Sequence, residues 1–286
     1  MKFQTFFPDL MWESLVKNAL LEDLGSGGDI TTQALISPDQ TVKAIFRARK
    51  PGVVAGLAGA KLSFTLLDHH TRFISHKEDG DIIEEKDVIA SVEGNAATIL
   101  GGERTALNLL SHLSGIASET RKIVDLVHGT GVRICCTRKT LPGMKSVQKY
   151  AVRAGGGASH RYRLDDAILI KDNHLALCGG VTSALKAAKK RIGHLSKIEL
   201  EVDRLDQLEE ALSAGGADVY LLDNMSLDEL RKAVKLIDGR AIAEASGGIT
   251  PETARDIAET GVNVLSLGWL THTVKALDIG LDIEAL

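Results

Sequence analysis

Residues 135–174 gather Arg138, Lys139, Arg153, His160, Arg161, Arg163 and Lys171 among three consecutive glycines, Gly155, Gly156 and Gly157, and two short apolar runs. The chain as a whole is slightly acidic, with 34 Lys and Arg against 38 Asp and Glu and a formal net charge of -4. A cationic cluster inside an acidic protein fits a small, highly anionic ligand. A polynucleotide surface would need basic runs or tails, and this sequence has none.

Complementary chemistry follows further along. Apolar runs at 132–136, 167–170, 198–202, 219–222, 241–245 and 262–267 each stop at polar or glycine residues. In order these are Thr137-Arg138-Lys139, Lys171-Asp172-Asn173-His174, Glu201 with Asp203, Asp223-Asn224, Ser246-Gly247-Gly248, and Gly268. Cations stand at the early stops, acids at the middle ones and glycines at the last two. Any exposed strand end is ordinarily polar, but this division of chemistry along the whole series marks one binding face. Ser246-Gly247-Gly248-Ile249-Thr250-Pro251 leads into a helix, with Thr250 as cap and Pro251 at the first helical position. Loops after the last two strands of a βα barrel often hold a phosphate on backbone N–H groups.

The elements that must position these residues follow from periodicity. Helical spacing at 147–154, 183–190, 205–214, 227–236 and 251–259 separates the apolar runs. Strand then helix, repeated, predicts a parallel sheet with helical crossovers, and the evenness of the later units favours a barrel. The first part of the chain has another rhythm. A helix is predicted over 9–24, with Asp9 as cap and Leu15, Val16, Ala19 and Leu20 on one face. Val42, Ala44, Phe46 and Ala48 alternate as a half-buried strand, 56–67 returns to helical spacing, and 78–94 suggests hairpin strands around Asp79-Gly80. A long helical stretch over 95–127, broken near Gly115, links this small α+β region to the repeating part.

Composition bounds the rest. With 286 residues, 44% of them hydrophobic, the chain can bury a large core in about one or two domains. No apolar stretch reaches the roughly 20 residues that span a bilayer. The N-terminus carries Lys2, but acidic residues interrupt its apolar part, so it does not read as a signal peptide. Three cysteines, with Cys135 and Cys136 adjacent, make neither a disulfide framework nor a metal knuckle, and read as reduced thiols of a cytoplasmic protein. His69, His70 and His76 read as surface residues without a metal triad.

Several motifs together carry a resemblance: Glu22-Asp23-Leu24-Gly25 and Gly28-Asp29-Ile30-Thr31-Thr32, Gly102-Glu103-Arg104-Thr105-Ala106-Leu107-Asn108, Thr137-Arg138-Lys139-Thr140 with Pro142-Gly143, Gly155-Gly156-Gly157 with His160-Arg161, and Leu169-Ile170-Lys171-Asp172-Asn173-His174. Glu201-Val202-Asp203, Leu222-Asp223-Asn224 and Glu244-Ala245-Ser246-Gly247-Gly248 continue it. In these the chain resembles the quinolinate phosphoribosyltransferase family over nearly its whole length. The resemblance implies an α/β protein with an N-terminal α/β sandwich domain over 1–111 and an open, incomplete parallel α/β barrel over 112–270 as catalytic domain. The tail, 271–286, would pack back on the first domain. It also implies a homodimer whose active site borrows from the partner's N-terminal domain, with further assembly into hexamers left open.

The activity so implied moves phosphoribose from phosphoribosyl pyrophosphate to the pyridine nitrogen of quinolinate and releases pyrophosphate and CO2, a step of de novo NAD biosynthesis. By the resemblance, Arg138, His160 and Arg161, with Thr137 beside them and Arg104 reaching in from the neighbouring subunit, hold the quinolinate carboxylates. Lys139 and Lys171 bridge carboxylate and pyrophosphate. Glu201 and Asp223 face the ribose hydroxyls and the Mg2+ that accompanies pyrophosphate, since hard oxygen ligands suit that ion. Ser246, Gly247, Gly248, Ser266, Leu267 and Gly268 take the 5′-phosphate, with His272 nearby. Catalysis would rest on Lys139, Lys171, Glu201 and Asp223 through positioning and charge, because a pyridine nitrogen has no proton to remove.

Other readings of the same residues remain open at this point. Lys171 could be a barrel-interior lysine paired with Glu201, or could form a Schiff base with a carbonyl substrate. The chain could be a molybdenum-transport-associated paralogue of the same family, or a barrel that binds a phosphate metabolite without turnover. Two positions depart from the family pattern: Ser159 stands where Asn is usual before His160-Arg161, and Arg163 where Gly is usual.

Overall fold

The computed structural model describes residues 7–284, so Lys2 lies outside the described residues. Helices α1 (Leu10–Leu24) and α2 (Ile30–Leu35) precede strands β1 (Thr41–Ala48) and β2 (Gly52–Val53). Next come α3 (Leu57–Thr65), β3 (Arg72–Ser75), β4 (Ile82–Ile83), β5 (Val88–Asn95) and α4 (Ala96–Leu126). The chain continues through β6 (Arg133–Cys135), α5 (Lys145–Ala154), β7 (Ile168–Ile170), α6 (Asp172–Cys178), α7 (Val181–Arg191), β8 (Ile198–Val202) and α8 (Leu205–Ser213). It ends with β9 (Val219–Asp223), α9 (Leu227–Ile237), β10 (Ile242–Ser246), α10 (Pro251–Ala258), β11 (Val264–Ser266), α11 (Trp269–His272) and β12 (Ile279–Glu284). Two compact units result: residues through Arg121 with Thr140–Gly156 and Leu270 onward, and Lys122–Lys139 with Gly157–Trp269.

The first unit is built on an antiparallel sheet in the order β12-β1-β5-β3. Val42, Ala44, Phe46 and Ala48 are buried, as their alternation predicts, and pack with Phe64, Ile89, Ile99 and Leu110 in one core. The rings of Phe46, Phe64 and Phe73 meet at centroid separations of 5.9 to 6.4 Å. The segment 78–94 supplies strands but not a hairpin of its own, because β4 pairs with β2 while β5 pairs with β1 and β3. Helix α4 runs without a break through Gly115, where a Cβ would collide with the backbone of Lys275. Gly115 therefore serves close approach rather than a kink. Asp9 does not cap α1: its backbone is already helical, its side chain makes no cap bond, and it pairs with Lys61 at 3.6 Å. Asp29 is the acid that caps, accepting from the N–H groups of Thr31 at 3.0 Å and Thr32 at 3.1 Å at the start of α2.

The second unit is a six-stranded parallel sheet in the order β6-β11-β10-β9-β8-β7. It is not closed. Ala158 bridges to β6 in parallel through its N–H to Ile134 O, 2.7 Å, and through Cys136 N–H to its carbonyl, 3.3 Å. The register aligns Glu201, Leu221, Glu244, Val264 and Arg133 in one row, and Asp223, Ser246, Ser266 and Cys135 in the next. Side chains alternate along a strand, so these rows share a face, which Glu199 joins from two residues before Glu201. The opposite face carries Leu200, Tyr220, Leu222, Ala243, Ala245 and Leu265, all buried. This explains why the strands read as apolar runs ending in polar residues: one face is the core and the other the site.

Candidate active site

The residues after β6 begin the site. Thr137 Oγ1 accepts from the Lys139 N–H at 3.0 Å, which turns the chain sharply and leaves the side chains of Arg138 and Lys139 exposed. Arg138 lies close enough to Arg161 to disfavour its charge. The Arg161 guanidinium is held below its ordinary value, first by burial and then by Arg138. Arg161 is anchored by an Nη1 bond to the carbonyl of Ala167 at 2.9 Å. Two guanidinium groups that repel one another make a receptor for an anion, whose charge would relieve both.

Lys171 follows β7. The motif Lys171-Asp172-Asn173-His174 forms the cap and first turn of α6. His174 Nδ1 accepts from the Lys171 N–H at 3.0 Å, which fixes where the lysine leaves the strand. The Lys171 ammonium is ion-paired with Glu201. At the end of β9, Asp223 accepts from Asn224 Nδ2 at 2.8 Å. Asn224 adopts a left-handed backbone, with φ at 55°, and its N–H donates to Ser246 O at 2.9 Å. A Cβ on Gly247, whose φ is 92°, would overlap the Asn224 side chain, so the Ser246-Gly247-Gly248 turn admits no larger residue there. The turn opens into α10 with Thr250 at the cap and Pro251 in its first turn, and Trp269 Nε1 holds the Ile249 carbonyl at 2.9 Å.

Among the residues expected at the phosphate, Leu267 offers neither side chain nor N–H. It is buried, and its N–H donates to Cys135 O at 2.9 Å. Ser266 lies on the inner face beside Ser246, and Gly268 follows it. Arg104 and His272 are both exposed, on α4 and α11, and both belong to the first unit. The second unit thus brings together Thr137, Arg138, Lys139, His160, Arg161, Lys171, Glu201, Asp223, Ser246, Gly247, Gly248, Ser266 and Gly268.

Two acids on the inner face were given no role from the sequence, although Glu244 stands in one of the family motifs. Glu199 and Glu244 are buried, and His160 Nε2 lies 3.0 Å from Glu199 Oε2 and 3.6 Å from Glu244 Oε1. Burial, and then the charge of Glu199, push the Glu244 carboxyl up to about 7, against an opposing pull from His160. The available signal was Glu199 inside the apolar run 198–202, at the same-face spacing from Glu201. Among the described residues, the His160-Glu199-Glu244 group and an exposed turn, Asp68-His69-His70, are those whose donor atoms lie within 4.8 Å of one another. His76, read as a surface residue, bonds Ser91 Oγ through Nε2 at 3.1 Å.

The departures from the family pattern have simple surroundings. Ser159 Oγ meets the Tyr162 hydroxyl at 3.4 Å. Arg163 points outward and pairs with Asp165 at 3.2 Å, while its N–H and that of Tyr162 both donate to Asp166.

Comparison with known proteins agrees with this arrangement. The family described as quinolinate phosphoribosyl transferase, N-terminal domain, matches residues 29–114, and its C-terminal domain matches residues 116–282. The nicotinate-nucleotide pyrophosphorylase [carboxylating] of Mycobacterium leprae is 44% identical, over 94% of this chain and 95% of its own. The crystal structure of nicotinate-nucleotide pyrophosphorylase from Ehrlichia chaffeensis superposes with a TM-score of 0.90 at 42% identity, covering 95% of this chain and 98% of that one. NadC from Streptococcus pyogenes gives a TM-score of 0.93 at 37% identity, covering 99% of this chain and 100% of that one. With both domains matched in order, and relatives this similar from end to end, the chain belongs to the quinolinate phosphoribosyl transferase family.

Proposed function

We propose that this protein transfers the phosphoribosyl group of phosphoribosyl pyrophosphate to quinolinate with decarboxylation, giving nicotinate mononucleotide, pyrophosphate and CO2 in de novo NAD biosynthesis. The observation that carries the reading is the Arg138–Arg161 pair, two guanidiniums in mutual repulsion on the inner side of a barrel lined elsewhere by acids. A planar dicarboxylate satisfies both through paired hydrogen bonds. Arg138, His160 and Arg161, with Arg104 from a partner subunit of a homodimer, take the two carboxylates. Lys139 and Lys171 stand between quinolinate and the pyrophosphate. The Lys171–Glu201 ion pair favours a positioning role over Schiff-base chemistry, which needs a neutral amine.

The ring nitrogen attacks C1 of the ribose as the C1–O bond to pyrophosphate breaks, and that electron pair leaves with pyrophosphate. Glu201 and Asp223 face the positive charge that builds on the ribose, and the lysines face the departing oxygen. The ring nitrogen then bears a positive charge. Loss of the 2-carboxylate as CO2 leaves an electron pair at C2 beside it, and C2 takes up a proton. The Ser246-Gly247-Gly248 turn and the start of α10 receive the 5′-phosphate.

Glu201 and Asp223 fit a Mg2+ role shared with substrate. Each offers carboxylate oxygens at neighbouring strand ends, and among the described residues neither belongs to a three-donor protein cage. Mg2+ typically uses one or two carboxylates together with substrate phosphates, and neutralises charge on the pyrophosphate. Free cysteines, two of them buried, favour the cytoplasm as the compartment. Among the described residues, no helix is long and apolar enough to cross a membrane.

The test is a single-turnover assay with quinolinate, phosphoribosyl pyrophosphate and Mg2+, following nicotinate mononucleotide and CO2 together. Both products appear in step, and Arg138→Ala loses them. Folded wild-type protein that forms neither product overturns the reading and leaves the molybdenum-associated paralogue in its place.

A further inference from the structure

The chain leaves β9 through Asn224, and this residue touches two groups with separate tasks. Its backbone is left-handed, with φ at 55°, a conformation that asparagine tolerates better than most residues with a side chain. Its N–H donates to Ser246 O, 2.9 Å away at the end of β10. Its Nδ2 donates to Asp223 Oδ2 at 2.8 Å. A carboxylate only accepts, so the amide nitrogen is the atom turned to Asp223 and the amide oxygen is turned away from it. The same side chain lies against the Ser246-Gly247-Gly248 turn, where a Cβ on Gly247 would come within 2.5 Å of Asn224 Cγ and 3.0 Å of its backbone nitrogen.

We propose that Asn224 is a positioning residue that locks the Asp223 carboxylate and the Ser246-Gly247-Gly248 turn into one frame for phosphoribosyl pyrophosphate. This rests on the functional reading above, in which Asp223 faces the ribose and the turn receives the 5′-phosphate. The ribose and its 5′-phosphate are covalently joined, so binding is strongest when the spacing of their two receptors is fixed beforehand. Strands β9 and β10 set that spacing as far as the pair Asp223 and Ser246, where their register ends. Asn224 carries the connection past the strand ends, through its N–H on one side and its amide on the other. Among the described residues the Asp223 carboxylate has no other hydrogen-bond or ion-pair partner, so its orientation depends on this amide. The far end of the turn is held separately by Trp269 Nε1 on Ile249 O at 2.9 Å. Gly247 and Gly248, with φ at 92° and 59°, bring no side chain of their own to hold the near end. A residue needed only for its left-handed backbone would be replaced by glycine without loss, which separates a turn role from a positioning one.

Asn224→Gly keeps the left-handed backbone and the N–H bond to Ser246, and removes the amide. Asn224→Asp keeps the shape of the side chain but replaces the donor with a second carboxylate beside Asp223. Calorimetric titration of the full-length variants with phosphoribosyl pyrophosphate in the presence of Mg2+, and separately with quinolinate, reads the difference. We expect Asn224→Gly to weaken phosphoribosyl pyrophosphate binding by about tenfold and to leave quinolinate binding unchanged. Asn224→Asp should bind phosphoribosyl pyrophosphate no better than Asn224→Gly. In steady state the KM for phosphoribosyl pyrophosphate rises in both variants while that for quinolinate holds. Wild-type affinity for phosphoribosyl pyrophosphate in Asn224→Gly reduces the residue to a turn former and overturns the proposal. Equal weakening for both substrates overturns it too, as does wild-type affinity in Asn224→Asp, which would make the donor to Asp223 idle. Wild-type protein that binds phosphoribosyl pyrophosphate but forms no nicotinate mononucleotide overturns the functional reading alone, and the affinity ratio between wild type and variants still decides Asn224. Wild-type protein that binds no phosphoribosyl pyrophosphate overturns both. Should Asn224→Gly fail to fold, Asn224→Asp carries the same comparison between the two substrates.

Discussion

The loop that carries Arg161 is held at both ends by single residues. His160 fixes its start, and Asp166 accepts the N–H groups of Tyr162 and Arg163 at its end. Losing two backbone hydrogen bonds of about 1 kcal/mol each loosens the loop without removing any group that faces substrate. Asp166→Ala is therefore expected to raise the quinolinate KM by about tenfold while changing kcat much less, as steady-state kinetics would show. Arg163 has the opposite standing. Its side chain is 75% exposed and pairs only with its neighbour Asp165 among the contacts described, so Arg163→Gly should preserve turnover. A collapse of turnover in that variant would give Arg163 an active role. Residues of this kind were legible in unequal measure. Arg138, Lys171, Glu201 and Asp223 stood at the ends of apolar runs, where chemistry is visible. Glu199 and Glu244 lay inside such runs, where a charged residue contradicts the pattern and finds its reason only when the sheet curls them toward His160.

At the scale of elements, the parallel strands and their helices could be read closely because buried strands are apolar and crossover helices amphipathic. What escaped was set by pairing rather than by pattern. Helix α6 begins on the polar run Lys171 to His174. Ala158 bridges β6 directly after three glycines. Strand β12 carries Asp282 and Glu284, which pair with Arg47, Arg49 and Lys43 on and beside β1. Gly101 and Gly102, where the Gly102-Glu103-Arg104 motif begins, would be poor helix residues on propensity alone. The structure gives the second of them a purpose, since a Cβ on Gly102 would come within 2.6 Å of Ser63 O and 2.8 Å of Phe64 Cδ1. Gly102→Ala should cost about 2 kcal/mol, measurable as a lower denaturant midpoint, because helix propensity cannot offset an overlap with backbone. The turn at Asp79-Gly80 proved to be more than a turn. Asp79 accepts from Gly56 N–H at 3.0 Å, Leu57 N–H at 3.2 Å and the Tyr150 hydroxyl at 2.7 Å, tying α3 to α5. Burial raises its carboxyl above the ordinary value despite these bonds. A raised acid favours the folded state most below the unfolded value of about 4, and that contribution is lost as pH rises through the folded value. Asp79→Asn should therefore have a melting temperature that gains on wild type as pH rises from acid to neutral. A difference that stays constant with pH would remove Asp79 as the source.

At the scale of the whole molecule, the proposed homodimer can be tested without a structure of the assembly. If Arg104 serves the partner's barrel, a subunit with Arg104→Ala still owns an intact barrel, and one with Arg138→Ala still lends an intact Arg104. Mixing and re-associating the two inactive variants should recover activity that neither has alone. No recovery from demonstrably mixed dimers would place Arg104 in its own subunit's site or outside any site. The order of the chain adds a consequence of another kind. Strand β1 sits between β5 and β12, so the sheet of the first unit draws its edge strand, Ile279–Glu284, from beyond all six strands of the parallel sheet. During translation the barrel strands leave the ribosome before that edge can be supplied. A nascent chain stopped short of Ile279 would hold every strand of the six-stranded parallel sheet while the four-stranded sheet kept an open β1 edge, a ready template for association with other chains. The unit whose residues are made first would then be the one whose folding finishes last.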